Sequence, residues 1–447
     1  MTLPTVLAIL PLVIFTVLLL SGRTLLSASF VVFAGYLLFG LFYFNVDPTL
    51  ALAVIGKGAL TAKDIFWIVF GALFFLEVLK LRLVLPALVK YLQTISADYR
   101  VQILLLVWFL EAFIEGTAGF GTPVALVSPI LVAMGYSPLR AVALGLLGNS
   151  NAVVFGAAGT PIRVGFAGLD VVGVPTAAAL FNLCGIFVPV LILWLGVRKR
   201  NDFWPFVPLA LWAGVCLMVA EIVIVPLGSE LPSILGPIVG LIIFLASQKI
   251  LPHRPSMVIA APYCLLIGLL IIFKSPALAF LFSGLPFLFI WGGRRKIFSV
   301  LKPSISGAFA PFWVVCLMTI SVQLMTISGV LNIIARMFTN NYLPLLAPFL
   351  GAFGAFLTGS ATVSNLMFGK IVSLSALELG LNNQLILGVL VVGGAVGNMI
   401  ALADMLAAQA IVGLKNQERE VLKLVILPCL AVLLLLGIFA TITLHVF

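Results

Sequence analysis

Charged residues make up only 9% of this 447-residue chain, against about 25% in an ordinary soluble domain. So little charge cannot coat a globular surface, and a soluble fold is excluded. Histidine is almost missing, with only His253 and His445 present, and there is no HExxH or GxSxG pattern, so an intramembrane enzyme is set aside. Five cysteines (Cys184, Cys216, Cys264, Cys316, Cys429) lie inside apolar runs without CxxC spacing, which points to no disulfide framework and no thiolate metal site. Neither a metal nor an organic cofactor is expected. The opening MTLPTVLAILPLVIFTVLLL carries no basic stretch and no small-residue cleavage site, and it reads as a spanning helix and not as a signal peptide. A net charge of +10 would suggest nucleic acid in a soluble chain. Here the basic residues sit between apolar runs, and cytoplasmic loops of a membrane protein account for them without nucleic acid.

What the chain has is apolar sequence, 63% of its residues. A membrane helix needs about 20 such residues, and that length places spans near 3–20, 25–44, 65–79, 176–197, 205–225, 234–248, 256–273, 277–292, 306–335 and 424–445. Two more, near 139–170 and 385–412, are interrupted by GNSN with GAAGTP and by GGAVGN. Two segments fit the ruler badly: 101–115 and 123–135 are short arms joined by GTAGFGT, and 344–357 and 364–379 flank TGSATVS. Both read as re-entrant helical hairpins. With the amino terminus outside, the cytoplasm receives Arg23, the Lys80–Arg100 group, Arg140, Arg198–Arg200, Lys249 with Arg254, Arg294–Lys302 and Lys415–Lys423, which is most of the 24 basic residues. Both termini then lie outside the cytoplasm, and the bacterial inner membrane is the expected location.

In this threading the first hairpin enters from the cytoplasm and the second from outside. The expected fold is therefore an all-α polytopic membrane protein of two inverted-topology repeats, each with a re-entrant hairpin and a broken helix, the layout of secondary transporters. The expected divisions are scaffold helices over 1–100, hairpin and broken helix over 101–175, connecting and scaffold helices over 176–343, hairpin and broken helix over 344–415, and a last scaffold helix over 416–447.

Irregular backbone at membrane depth is tolerated only where protein or a watery cavity satisfies its polar groups, so the four interruptions should converge. GTPV and GTPI offer Thr122 and Thr160 as N-caps with proline at the first helical position, and helix amino termini suit an anion. Ser364–Asn365 and Gly397–Asn398 are the matching caps in the second half. Glu115 sits at the first tip, with Glu111 one turn before it as a structural brace. A carboxylate in the bilayer is costly unless paired, wet or protonated, which makes Glu115 a candidate proton carrier, or else a brace accepting backbone N–H bonds. Arg163 and Asp404 occupy nearly matching places in the two halves and form either a buried ion pair or a substrate clamp with a titrating partner, unless Arg163 lies at the outer surface. Lys370 reads as a snorkelling residue and Glu77 with Lys80 as an interfacial pair. The neutral oxygens of Asn149, Ser150, Asn151, Ser364 and Asn365 would suit sodium.

These segments resemble the L-lactate permease family: IEGTAGFGTPVAL at 114–126, SPLRAVALGLLGNSNAVVFGAAGTPI at 137–162, FLTGSATVSNLMFG at 356–369 and GGAVGNMI at 393–400. The resemblance implies a two-repeat fold in which a hairpin-bearing domain moves against a scaffold, and proton-coupled import of lactate and related 2-hydroxymonocarboxylates such as glycolate. It implicates Glu115, Gly116, Gly119, Gly121, Thr122 and Pro123, then Thr358, Gly359, Ser360, Ser364 and Asn365, and Gly394 and Gly397. Two departures stand out. Where the family reads GSDTSSN this chain has GSATVSN, placing Ala361 at an acidic position, and where it reads GKMISPQ this chain has GNMIALA, placing Asn398 at a lysine. Arg163 and Asp404 are the candidates to replace that pair. The expected function is a proton symporter for a small monocarboxylate in the lipid bilayer, working by alternating access. The substrate-contacting set is Gly119, Gly121, Thr122, Asn149, Ser150, Asn151, Thr160, Arg163, Ser360, Ser364, Asn365, Gly397 and Asn398, with Glu115 and Asp404 carrying protons. A sodium-coupled anion carrier is the alternative and a passive anion channel ranks third; monomer and homodimer both stay open.

Overall fold

The structure, a computed structural model, describes residues 2–119, 121–250, 255–273, 275–292 and 296–446. Expectations placed on Phe120, His253, Arg254, Arg294 and Arg295 lie outside these residues. Among the described residues the chain is helical with no strand. Among the described residues seven helices are long and apolar enough to cross a membrane: Leu3–Leu20, Leu25–Phe42, Val174–Gly196, Arg200–Leu227, Ile297–Ile327, Asn383–Ile411 and Glu418–Leu444. The pair Pro138–Gly148 and Asn151–Arg163, bent by 45°, makes an eighth. The expected spans near 234–248, 256–273 and 277–292 are apolar helices of more modest length, Pro232–Ser247, Met257–Phe273 and Pro276–Gly292.

Two expected spans have different bounds. The third helix runs Pro48–Lys80 and not 65–79, because Asp47 caps it by accepting from Thr49 N at 2.7 Å and Pro48 supplies the first-turn position. The span expected at 306–335 is a helix Ile297–Ile327 that stops at Ser328 and the left-handed Gly329 (φ +75°), followed by a short helix Val330–Phe338. These two long helices lie antiparallel: Gly58 abuts the Ile320 backbone while Gly307 faces Leu73. Each is followed by a short amphipathic helix that hydropathy alone does not reveal, Val84–Gln93 with Val84, Leu85, Val89 and Leu92 inward, and Val330–Phe338 with Val330, Leu331, Ile334 and Ala335 inward.

Hairpins follow both. The first has helical arms over 99–117 and Thr122–Ala133, the second Leu343–Thr358 and Ala361–Glu378. The second hairpin's returning arm, at 18 residues, is longer than its counterpart. Then come the broken helices, and last the spans Val174–Gly196 and Glu418–Val446. The order long helix, amphipathic helix, hairpin, broken helix, span thus occurs twice.

Small residues let these parts approach closely, as in membrane packing generally. A Cβ on Gly116 would run into the Ser233 carbonyl, so the first hairpin sits directly on helix Pro232–Ser247; Trp108 ties the same hairpin to helix Val207–Ile224 by donating from Nε1 to Ala213 O at 3.1 Å. In the second half Gly351 and Gly393 place helix Leu343–Thr358 in backbone contact with helix Asn383–Gly397.

Candidate functional site

The four interruptions converge, as their sequence requires. At the first tip Gly121 is left-handed (φ +72°) and lies against the Asp404 carboxylate of the second broken helix. The Glu115 carboxylate is wedged between Gly119 and Gly156, that is, between its own tip and the first break. Gly359 of the second tip abuts Ala403, and Asn365 beyond that tip donates from Nδ2 to Pro161 O at 3.0 Å. Each hairpin therefore touches both broken helices.

The first break is strained. Ala157, Ala158 and Gly159 are consecutively left-handed (φ +42°, +54° and +79°), which costs about 1–2 kcal/mol for each alanine. Packing holds it there: Gly159 lies on the Ser229 carbonyl and the Thr160 hydroxyl donates to Ala157 O. Strain of this kind collects at functional sites.

Between the tips and breaks is a small cavity of about 30 Å³, room for a water-sized group. Glu115, Gly121, Thr160, Ser360, Thr362 and Asn398 contribute to its wall. It adjoins a larger cavity of about 320 Å³ that shares Thr160, Gly359, Ser360 and Thr362 and adds Thr358 and Asp404. Among the described residues no lysine or arginine lines either space. Two uncompensated carboxylates do: Glu115 is 4% exposed and Asp404 7%, and Glu115 Oε2 and Asp404 Oδ2 have no hydrogen-bond partner. The amino terminus of the 18-residue helix Ala361–Glu378 opens here, capped by Ser360 Oγ accepting from Val363 N at 3.3 Å. Ala361 and Asn398, the two departures from the family pattern, both line the small cavity.

Several expected roles need correction. Arg163 does not pair with Asp404. It is exposed and reaches Glu230, Nη1 to Oε2 3.4 Å, because the helical stretch after the break lasts a single turn and ends at Arg163 itself. Thr122 and Thr160 are not N-caps: Gly121 holds the cap position of the first helix without a side-chain bond, and the Thr160 hydroxyl points back to Ala157. Ser364 and Asn365 do not cap either. Ser364 ties the second hairpin together by donating to Gly351 O at 2.7 Å, and Asn365 reaches across to Pro161. Asn398 closes a helix, with Gly397 packed on the Ala352 backbone, and the next helix starts at Leu402. Lys80 bonds Glu77 at 2.6 Å, as expected.

Asn149, Ser150 and Asn151, expected to contact substrate, line neither cavity. Asn151 Nδ2 donates to Asn182 Oδ1 at 2.7 Å, and Asn182 Nδ2 donates to Glu221 Oε2 at 2.8 Å. Glu221, buried in the span Arg200–Leu227, is absent from the expected set, although a lone acid within VCLMVAEIVIV is the same signal that marks Glu115. Glu111 is fully buried with neither oxygen bonded, which does not fit a brace. Its carboxylate lies on the bare faces of Gly145 and Gly148, beside the equally unbonded Ser128 hydroxyl.

Membrane-length helices and two paired interruptions that meet at a small polar cavity are the architecture of an integral-membrane permease. The chain belongs to the L-lactate permease family, whose profile matches residues 4–289 and 269–447. It is 26% identical to the L-lactate permease of Bacillus subtilis over 79% of this chain and 80% of that one. The same identity relates it to the glycolate permease GlcA of Escherichia coli, over 92% and 90%, and to the L-lactate permease of that organism, over 86% and 85%.

Proposed function

We propose that the protein imports a small 2-hydroxymonocarboxylate, lactate or glycolate in kind, together with protons. The observation that carries this reading is the charge of the central cavities: two buried carboxylates and no cation among the described lining residues. An anion cannot enter a dry site beside Glu115 and Asp404 while both are ionised. Protonation removes that repulsion, so substrate and proton bind together. The positive features left for the substrate carboxylate are the amino terminus of helix Ala361–Glu378 and the hydroxyls of Ser360, Thr362 and Thr160.

The small cavity is too tight for a carboxylate, so transport requires tips and breaks to separate. Two hairpin-bearing units of opposite orientation, the first re-entering from the cytoplasm and the second from outside, supply that motion by alternating access. The repeated order of elements supports the reading. Sodium coupling is the second reading, favoured by the unbonded oxygens of Glu111, Ser128 and Asn149, which are hard ligands of the kind cations take.

The test is uptake into proteoliposomes of a panel of 2-hydroxyacids with pH and sodium gradients imposed separately. Accumulation should follow the pH gradient and vanish in Glu115→Gln. Full pH-driven accumulation by that variant would remove Glu115 from the coupling step, and accumulation driven by sodium alone would overturn proton symport.

A further inference from the structure

A third cavity, open and of about 300 Å³, lies on the other side of the Asn365–Pro161 bond from the central one. Lys57 and Lys370 line it together with Thr319, Gln323 and Asn365, and among the described residues no acidic side chain does. Two buried polar atoms in its wall are unsatisfied. Thr319 is 4% exposed and its hydroxyl has no partner, whereas its helix neighbours Ser321 and Thr326 both donate to the carbonyl four residues back. Asn365 is 1% exposed and its Oδ1 is likewise unbonded. Its amide orientation is fixed, because Nδ2 faces the Pro161 carbonyl and a swapped amide would set two acceptors together. Buried polar atoms normally find partners.

We propose that this cavity is a second carboxylate site, a vestibule that captures a small 2-hydroxymonocarboxylate before it reaches the centre. Its chemistry complements that substrate class group by group. The Lys370 ammonium, which uses one of its three donors on Thr326 Oγ1 at 3.0 Å, faces the carboxylate. The Thr319 hydroxyl donates to the same anion, and Asn365 Oδ1 accepts from the 2-hydroxyl. Because Asn365 also bonds Pro161, which lines the small central cavity, filling its free acceptor connects arrival of the substrate to that wall. The site rests on the carboxylate reading above, and in the threading given there it opens outward.

The test is the concentration dependence of initial uptake of labelled lactate and glycolate into proteoliposomes by wild type, Lys370→Gln, Lys370→Arg and Thr319→Val. A capture site predicts a KM raised about 10-fold in Lys370→Gln with the maximal rate kept, near-normal KM in Lys370→Arg, and an intermediate rise in Thr319→Val. In wild type the KM should also climb with ionic strength, a readout that needs no variant to fold. A lysine that merely snorkels leaves KM in Lys370→Gln within twofold of wild type and insensitive to salt, and that result overturns the vestibule alone. A wild type that takes up none of these acids overturns both the vestibule and the carboxylate reading.

Discussion

Gly121 is the position where backbone conformation and charge placement meet most tightly. Its φ of +72° is a left-handed conformation that costs an alanine about 1–2 kcal/mol. A methyl group there would also overlap Asp404 Oδ1 and stand 3.2 Å from Asp404 Cγ, and such overpacking adds about 1–3 kcal/mol. Gly121→Ala should therefore destabilise the protein by roughly 2–5 kcal/mol and displace the Asp404 carboxylate. The two contributions can be separated. The Asp404 Cβ lies 3.8 Å from the added methyl, an ordinary contact, so in an Asp404→Ala background only the backbone cost remains, about 1–2 kcal/mol. Denaturant unfolding in mixed micelles of wild type, both single variants and the double variant gives the cycle, with an expected coupling of about 1–3 kcal/mol. Strict additivity would refute the close approach of the first tip to the second broken helix, and with it the convergence on which the site depends.

Other outcomes follow from single contacts. Asn182→Ala strips Glu221 Oε2 of its donor and should cost about 1–3 kcal/mol in the same unfolding measurement, more than Asn182→Asp in acid, where the new carboxyl can still donate. Arg163→Ala should cost about 1–3 kcal/mol, since it takes a partner from the buried Glu230 carboxylate; adding Asp404→Ala should rescue nothing. At the base of the first hairpin, Arg100 holds the Asp98 carboxyl below the usual carboxylate range. That stabilisation is complete above the unfolded-state value of about 3.9 and disappears as pH falls through the lower folded-state value, so Asp98→Asn should flatten the acid limb of a stability profile.

Legibility followed length and composition. The hairpins and breaks were readable because glycine, threonine and proline interrupt otherwise apolar runs, and the tips at Gly119–Gly121 and Gly359–Ser360 lie where those interruptions put them. The amphipathic helices at 84–93 and 330–338 were not, since neither is long enough for a hydropathy window and their inward faces repeat only across two or three turns. Within the site, Glu115 could be picked out as a carboxylate at a dry tip, and Ser360, Thr160 and Asn398 as polar groups at breaks. Partner choice could not. Sequence symmetry suggested Arg163 with Asp404, but the single turn after the left-handed Ala157–Gly159 run carries Arg163 toward Glu230, and no local pattern announces a turn of that kind. Glu221 could have been found by applying to every span the rule used for Glu115.

The central claim, that an anion binds between Glu115 and Asp404 only with a proton, is tested most directly by proton movement itself. In lightly buffered, de-energised proteoliposomes, a pulse of lactate or glycolate should make the outer medium more alkaline in step with labelled uptake, without sodium, and Glu115→Gln should abolish the signal. Uptake of labelled substrate with no alkalinisation would contradict the account.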